Sequence, residues 1–206
     1  MMVMIRVKSA SEARSKFRHM KTSRGQVEQN RRIILKAAGR LFRQRGFDAV
    51  TVSDVMQAAG LTHGGFYGYF KSKDDLIAAT LVQLFTPSAG DGAERAVSAA
   101  AYLTPSHRDD CAGGCPVAAL GADVTRQSPQ ARAKMTAALR GTIERRTRRA
   151  PGENFAARRQ AAIGSWSAMV GAMILARMAD DPELSDEVLA ATSAWIGREA
   201  PAPFDG

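Results

Sequence analysis

A short stretch in the first half of the chain, GLTHGGFYGYFKSKDDL at residues 60–76, constrains the fold more than any other part of the sequence. The sequence on both sides has helical periodicity, yet this stretch contains Gly64, Gly65 and Gly68. Each glycine weakens a helix by about 1 kcal/mol relative to alanine. Thr62 is a good N-cap, and SKDD at 72–75 has the cap residue and acidic group that open a helix. We therefore predict two helix starts around a glycine-rich segment.

The sequence before and around this stretch predicts a compact set of helices. Apolar residues recur at helical spacing from 26 to 45, which predicts a long amphipathic first helix. TVSD at 51–54 opens a short second helix, which Gly60 closes. A third helix is expected from Thr62 to Phe70 and a fourth from Ser72 to Phe85. These elements predict a helix-turn-helix packed on the first helix.

The remainder of the chain is also predicted to be helical. Alanine and arginine are frequent and β-branched runs are rare, so composition favours helix over sheet. Helices are expected at 94–103, from Pro116, and at 128–149, 154–178 and 181–197, with an irregular segment at 104–115. The predicted fold class is all-α. The expected domains are a basic arm at 1–25, a three-helix helix-turn-helix domain at 26–72 and a larger helical domain at 73–206.

Charge is distributed unevenly along the chain. Residues 1–75 contain 15 basic and 6 acidic residues, and this excess equals the net charge of +9 for the whole chain. Such asymmetry indicates a module that binds a polyanion, joined to a neutral body. Nucleic acid is the first candidate for this polyanion and an anionic membrane surface is the second.

Two apolar segments bear on localisation. The opening MMVMIRVKSA has too short an apolar part for a signal peptide, so we expect a cytoplasmic protein, with Met20 as an alternative start. The 17 uncharged residues at 160–176 reach only the lower limit for crossing a bilayer, and they include glycine and serine. We interpret them as a buried or subunit-facing helix, and we expect no membrane partner.

The glycine-rich segment has the chemistry of a recognition helix. Small residues let the backbone approach DNA closely, and Gly64, Gly65 and Gly68 leave one face nearly bare. Tyr67 and Tyr69 can donate hydrogen bonds to phosphate oxygens, and two lysines supply charge nearby: Lys71 and Lys73. The alternative is a glycine-rich connecting loop with solvated lysines, which leaves the basic excess and the capping signals unexplained.

Residues 31–79, RRIILKAAGRLFRQRGFDAVTVSDVMQAAGLTHGGFYGYFKSKDDLIAA, resemble the DNA-binding domain of the TetR family of transcriptional regulators. The combination of AAGLTHGGFYGYF with SKDDL carries this resemblance. It implies base contacts from Thr62, His63, Gly64 and Gly65. It implies phosphate contacts from Tyr67, Tyr69 and Lys73, and the predicted interface also includes Thr51 and Lys71. Gly68 stands where many relatives have a larger residue, so the sequence departs from the family pattern there.

The same resemblance implies a homodimer on a palindromic operator, with a small-molecule effector bound in the C-terminal domain. The last two helices would pair with those of a second subunit. The predicted interface residues are Gly164, Trp166, Ala168, Val170, Ala172, Met173, Val188 and Trp195. The alternative is that these apolar stripes form the core within one subunit.

Two cysteines lie in CAGGCPVAALGAD at 111–123, which resembles a segment of one TetR subgroup where a cysteine before a helix senses oxidants or electrophiles. A thiolate of Cys115, directly before Pro116, would be stabilised by the helix dipole, and Cys111 is a candidate resolving partner. The alternative is that both are small residues at the edge of a ligand pocket. His107 and both cysteines have helical metal-ligand spacing, but the glycines between them argue against such a helix, so we predict no metal site.

Motifs for catalysis are missing from the sequence. It contains no phosphate-binding glycine loop after a strand, no nucleophile elbow and no evident triad. We predict a DNA-binding transcriptional regulator that needs no cofactor, most simply a repressor released by a small-molecule, electrophile or oxidant effector. The alternatives are a sequence-independent architectural DNA-binding protein and a catalytic thiol protein that uses Cys111 and Cys115.

Overall fold

The computed structural model of the protein describes residues 24–86 and 98–199, and every regular element in these two ranges is a helix. The elements in chain order are α1 Arg24–Arg45, α2 Val52–Ala58, a 3₁₀ helix His63–Gly68, α3 Lys73–Phe85, α4 Ala99–Tyr102, α5 Pro105–Asp109, α6 Pro116–Val124, α7 Pro129–Thr147, α8 Phe155–Met178 and α9 Pro182–Glu199. The all-α prediction is confirmed.

Local signals determine the turn between α1 and α2. Gly46 ends α1 in the left-handed region at φ 76°, where other residues are strained. Thr51 then forms a capping box, in which its hydroxyl accepts from the Asp54 N–H and its own N–H donates to the Asp54 carboxylate. These contacts satisfy two backbone groups that a helix end would otherwise leave unpaired.

The segment that follows α2 is shorter and tighter than expected. The structure has a 3₁₀ helix at His63–Gly68 where the sequence predicts a longer helix from Thr62 to Phe70. Thr62 precedes it in an extended conformation, but its side chain makes no capping hydrogen bond. A 3₁₀ helix suits a short run held by aromatic anchors, because Phe66 and Phe70 are both buried in the core.

A single apolar core joins the N-terminal helices to α6 and α7. Its larger members include Ile34, Phe42, Phe47, Val55, Phe66, Leu76, Leu81, Leu120, Val124 and Met135. Helix α3 packs against both α1 and α7, so it connects the N-terminal helices to the C-terminal part of the described chain. A change in the position of α6 or α7 therefore bears directly on the packing of α1.

A second core lies among α4, α8 and α9, with Trp166, Met173 and Leu189 at its centre. The segment at 104–115, expected to be irregular, contains α5, which Thr104 caps and which begins with Pro105. Of the predicted helix at 94–103, residues 94–97 lie outside the described residues, and the remainder is the single turn α4. The predicted arm at 1–25 also lies outside them, apart from the first two residues of α1.

Helix α8 is the one helix in the described ranges that is long and apolar enough to cross a membrane, by length and composition alone. It packs against α7 and α9, and one third of its most apolar window is buried inside the protein. Its apolar residues therefore serve a core on one side and an exposed stripe on the other. A single helix of this kind is weak evidence for a membrane span.

Candidate functional site

The 3₁₀ helix exposes bare backbone at Gly64 and Gly68, next to the exposed side chains of His63 and Tyr67. A Cβ atom built at Gly64 or at Gly68 would meet no other atom within 4 Å. Neither residue has a positive φ, in contrast to Gly46, Gly60 and Gly152 in the described ranges. Neither the backbone conformation nor the packing of the free protein therefore requires glycine at these two positions. A bare, outward-facing backbone is what close approach to another molecule requires.

Aromatic residues hold this bare surface in place from behind. Phe66 is fully buried, and its ring stacks on Phe70 with centroids 5.7 Å apart. The guanidinium carbon of Arg31 lies 4.3 Å from the Phe70 centroid, and its Nη1 donates to the Tyr69 carbonyl at 2.8 Å. The recognition segment is thus fixed to α1 by packing, a cation–π contact and a hydrogen bond.

The two predicted phosphate-binding tyrosines differ in their surroundings. Tyr67 is 72% exposed, so its hydroxyl is free to meet a partner. Tyr69 is half-buried, and its hydroxyl oxygen accepts a hydrogen bond from Asn30 Nδ2 at 2.8 Å. That contact leaves the Tyr69 O–H proton able to donate outward. Asn30 therefore supports the site from α1. This role could not be predicted from the sequence, because Asn30 lies 39 positions before Tyr69.

Lysines border the same surface. Lys73 is the first residue of α3, where a positive charge opposes the helix dipole, so helix stability does not account for it. Its Nζ lies 3.5 Å from the Asp48 carbonyl oxygen. The Lys71 side chain is exposed, while its backbone N–H donates to the Asp75 carboxylate. Both ammonium groups remain within reach of an anion at the edge of the recognition segment.

Thr51, Thr62 and His63 are all exposed. The Thr51 hydroxyl lies 2.7 Å from the Asp54 carboxylate, and hydrogen bonds from Thr51 hold the pKa of Asp54 below its usual value. Thr51 therefore has a clear structural role as a cap. Thr62 forms no capping bond and stands beside His63 at the start of the 3₁₀ helix. Lys73 lies close enough to Asp54, the capping partner of Thr51, to interact with it electrostatically, and the 3₁₀ helix packs against α2. A shared DNA-binding surface for these residues stays a prediction.

A second site surrounds Cys115, which is half-buried and is the N-cap residue of α6. Its backbone N–H donates to His107 Nε2 at 3.1 Å, and His107 Nδ1 lies 2.7 Å from the Tyr102 carbonyl oxygen. His107 is therefore the neutral tautomer with its proton on Nδ1. Burial, and next the Cys115 thiol, raise the pKa of Tyr102. Arg43 and Arg146 also interact electrostatically with Cys115.

The loop that carries both cysteines is tied to distant helices. Arg43 Nε of α1 donates to the Ala112 carbonyl at 2.6 Å. Arg177 of α8 donates to the carbonyls of His107 and Arg108 at 3.0 Å and 2.9 Å. A Cβ at Gly114 would lie 2.6 Å from the Asp110 carbonyl oxygen, so the loop is tightly folded there. Among the described residues no cluster of three or more His, Cys, Asp or Glu side chains is arranged to hold a metal ion.

The predicted interface residues occupy two different places. Trp166 and Met173 are buried in the second core of the same subunit, whereas Ala172 is buried but also lines the groove described next. The role of these residues in a subunit interface stays a prediction. Val170 and Val188 are half-buried beside that core. A shallow groove between α8 and α9, the α8–α9 groove, is lined by Ala168, Gly171, Ala172, Leu175, Ala191, Thr192 and Trp195.

Large apolar side chains border this groove and face solvent. Met178 is 74% exposed, and Leu175 and Trp195 are about half exposed at 56% and 46%. Gly164 lies on the same helix, with open space around it. Helical periodicity did identify apolar residues here, but it did not separate the inward stripe of α8 from the outward one.

Comparison with known proteins supports what this geometry indicates. The family described as "Bacterial regulatory proteins, tetR family" matches residues 34–80. The chain is 38% identical over 53 residues to the HTH-type transcriptional regulator AcrR of Shigella flexneri, covering 26% of this chain and 25% of that protein. It is equally similar to the HTH-type transcriptional repressor KstR2 of Mycobacterium tuberculosis, over 26% of each chain. These matches span about a quarter of each curated relative.

Solved structures extend the similarity to most of the chain. A TetR-family transcriptional regulator from Agrobacterium tumefaciens superposes with a TM-score of 0.66 at 18% identity, over 85% of this chain and 100% of that one. The reduced form of Escherichia coli NemR superposes with a TM-score of 0.64 at 22% identity, over 85% and 99%. The fold and the recognition segment define a helix-turn-helix protein. Residues 34–80 match the TetR family of bacterial regulatory proteins, and the fold of most of the chain is similar to that of TetR-family structures.

Proposed function

We propose that this protein is a DNA-binding transcriptional repressor that acts as a homodimer on a palindromic operator. The observation that carries the proposal is the bare surface at Gly64 and Gly68, held by buried aromatics and bordered by tyrosines and lysines. A recognition helix places such a surface in the major groove, where the first residues read base edges. The name of KstR2, a repressor, supports the sign of regulation proposed here.

The proposed dimer uses the α8–α9 groove and its apolar border. Exposed apolar patches of this kind mark interaction sites in soluble proteins. A two-fold axis at this surface pairs α8 and α9 with the same helices of the second subunit. Two recognition segments then meet two half-sites, spaced by about 34 Å or a multiple of it along the duplex.

Replacing Lys73 with alanine tests the placement of the DNA. The Lys73→Ala protein is expected to bind specific and random DNA more weakly, and its salt slope is expected to fall by about one unit for one lost phosphate contact. Titration of labelled DNA at several salt concentrations measures both. The control is Lys134→Ala, which removes the same charge from an exposed position on α7. Unchanged affinity and salt slope in Lys73→Ala would remove this edge of α3 from the interface.

Replacing Gly64 with alanine separates DNA contact from folding. The free protein has room for the methyl group, and alanine favours the helix, so the thermal unfolding midpoint is expected to stay the same or to rise. The operator affinity is expected to fall by about tenfold or more, because one lost base contact costs about 1–3 kcal/mol. Ala58→Gly, at an exposed position that ends α2, controls for a general effect of glycine content. Full operator affinity in Gly64→Ala would place the groove elsewhere.

A footprint distinguishes the repressor from an architectural protein. A sequence-specific dimer protects one palindromic site, whereas an architectural protein protects DNA without a fixed boundary. The neutral C-terminal body, with its own core, favours the regulator, since an architectural protein has no need of it.

We further infer that Cys115 receives an electrophile or oxidant signal. Its half-burial, the adjacent Tyr102 and His107, and the link from Ala112 to Arg43 support this proposal. The thiolate adds to the β-carbon of an unsaturated carbonyl, and the α-carbon takes up a proton, so the adduct forms without a further reactant. A catalytic thiol protein would instead turn over a peroxide when supplied with a thiol reductant, and that assay separates the two functions.

A further inference from the structure

A cavity of about 370 Å³ lies in the C-terminal body, bordered by α4, the end of α7, α8 and α9. Its walls include the small or apolar residues Ala162, Met169 and Ile196. The charged residues of its lining are Arg146, in the last turn of α7, and Arg149, two residues beyond the end of that helix. Ligand sites commonly combine apolar walls with a few polar groups that fix orientation.

Arg146 is the unusual member of this lining. It is half-buried, and its guanidinium carbon lies 5.5 Å from the centroid of the Trp166 ring. Among the described residues it forms no ion pair and its guanidinium donates no hydrogen bond. Burial lowers the pKa of this guanidinium. Charges removed from water are normally paired, and within residues 24–86 and 98–199 this guanidinium has no carboxylate partner.

A second polar group close to Arg146 also lacks a partner. The Tyr102 side chain is only 6% exposed, and its hydroxyl has no hydrogen-bond partner of ordinary geometry in the described ranges. Burial raises the pKa of Tyr102, and the nearby positive charge of Arg146 opposes this effect only weakly. A buried hydroxyl without a partner is costly, and a phenol can donate to an anion. Tyr102 does not line the cavity itself, so Arg146 is the group that offers hydrogen-bond donors and a positive charge to a ligand there.

We propose that this cavity binds a small organic carboxylate, whose anionic head pairs with Arg146 and whose hydrocarbon body lies against Met169 and Ile196. The planar guanidinium matches a carboxylate with two parallel hydrogen bonds, which favours a carboxylate over an uncharged polar ligand. Arg149 adds charge at the same end of α7. A role for this carboxylate as an effector rests on the proposed regulatory function. The binding of the carboxylate to the cavity does not depend on that function.

Calorimetric titration of the full chain without DNA tests the site, with octanoate and the uncharged octanamide as probes. Octanoate is expected to bind saturably and at least about tenfold more tightly than octanamide, because a charged hydrogen-bonded pair is lost in the amide. Arg146→Gln is expected to abolish that preference and Arg146→Lys to keep part of it. Arg132→Gln removes the same charge from an exposed position on α7 and is expected to bind like the original protein. Thermal unfolding of each variant verifies its fold.

Equal affinity for octanoate and octanamide would overturn the proposal, as would octanoate binding that Arg146→Gln leaves unchanged. Failure of octanoate to bind saturably would overturn it as well. A separate titration adds octanoate to the complex with operator DNA. If octanoate binds through Arg146 but operator affinity stays constant, the carboxylate site stands and its regulatory use fails.

Discussion

Replacing Ala168 with glutamate is expected to convert the protein into monomers and to reduce operator affinity by about 100-fold or more. Ala168 lines the α8–α9 groove, which is open to solvent in the single subunit. A glutamate there remains hydrated in the monomer, so the subunit itself should fold. In the dimer the same carboxylate would lie between apolar surfaces without a partner, at a cost of several kcal/mol.

Loss of the dimer explains the size of the effect on DNA. One recognition segment contacts one half-site, and the second half-site adds binding energy only when the two segments are linked. Linking two modules raises affinity by about 10²–10⁴-fold. A monomer therefore keeps the non-specific electrostatic attraction to DNA while it loses most of its preference for the operator.

Sedimentation velocity measures the oligomeric state, and a gel shift measures the operator affinity. Ala190→Glu is the matched control, because Ala190 is exposed on α9 but does not line the groove. The control is expected to remain dimeric and to bind DNA normally. An Ala168→Glu protein that sediments as a dimer would place the subunit interface on another surface.

The sequence identified the helix starts well because capping is local. Ser72, Ser128 and Asn154 each accept a hydrogen bond from the N–H three residues later, as their patterns indicated. The start of α5 was missed. Thr104 and Pro105 form a cap and first-turn pair, but the glycines further along the segment favoured an irregular structure. Capping patterns that span three or four residues can be read from a single sequence. Helix-breaking residues nearby can nevertheless lead to a wrong prediction.

The sequence was less able to orient α8. Both of its long faces are apolar, so periodicity alone could not show that Trp166 and Met173 point into the subunit while Leu175 and Met178 point away. Only the contacts with α4 and α9 determine which stripe is covered. A helix with two apolar faces therefore needs tertiary information before an interface can be assigned.

Contacts between distant residues were also out of reach. Asn30 meets Tyr69 across 39 positions of sequence, and Arg43 meets Ala112 across 69. Neither residue has a local motif that names its partner. Yet these two contacts connect α1 to the recognition segment at one end and to the cysteine loop at the other. Helix α1 is thus the structural connection between the two candidate sites.

The second large effect is expected at Cys115. A small α,β-unsaturated carbonyl such as methyl vinyl ketone is expected to release the protein from its operator, and Cys115→Ser is expected to bind DNA normally yet to lose this response entirely. The thiol lies beside Tyr102 and His107 at the start of α6. An adduct needs space that these side chains occupy, so the loop must shift. A shift of the loop strains the Arg43 bond to Ala112 and, through α1, the recognition segment.

Operator binding before and after treatment, with mass spectrometry to locate the adduct, measures this response. Cys111→Ser is the matched control, because Cys111 is half-buried in the same loop but does not cap α6. It is expected to respond to the carbonyl reagent as the original protein does. After treatment with a mild oxidant, the Cys111→Ser protein is expected to form no intramolecular disulfide. In the original protein, a reductant is expected to restore operator binding after the same oxidation. A full response in the Cys115→Ser protein would exclude this thiol as the sensor. The effector would then be a ligand held without a covalent bond in the helical body.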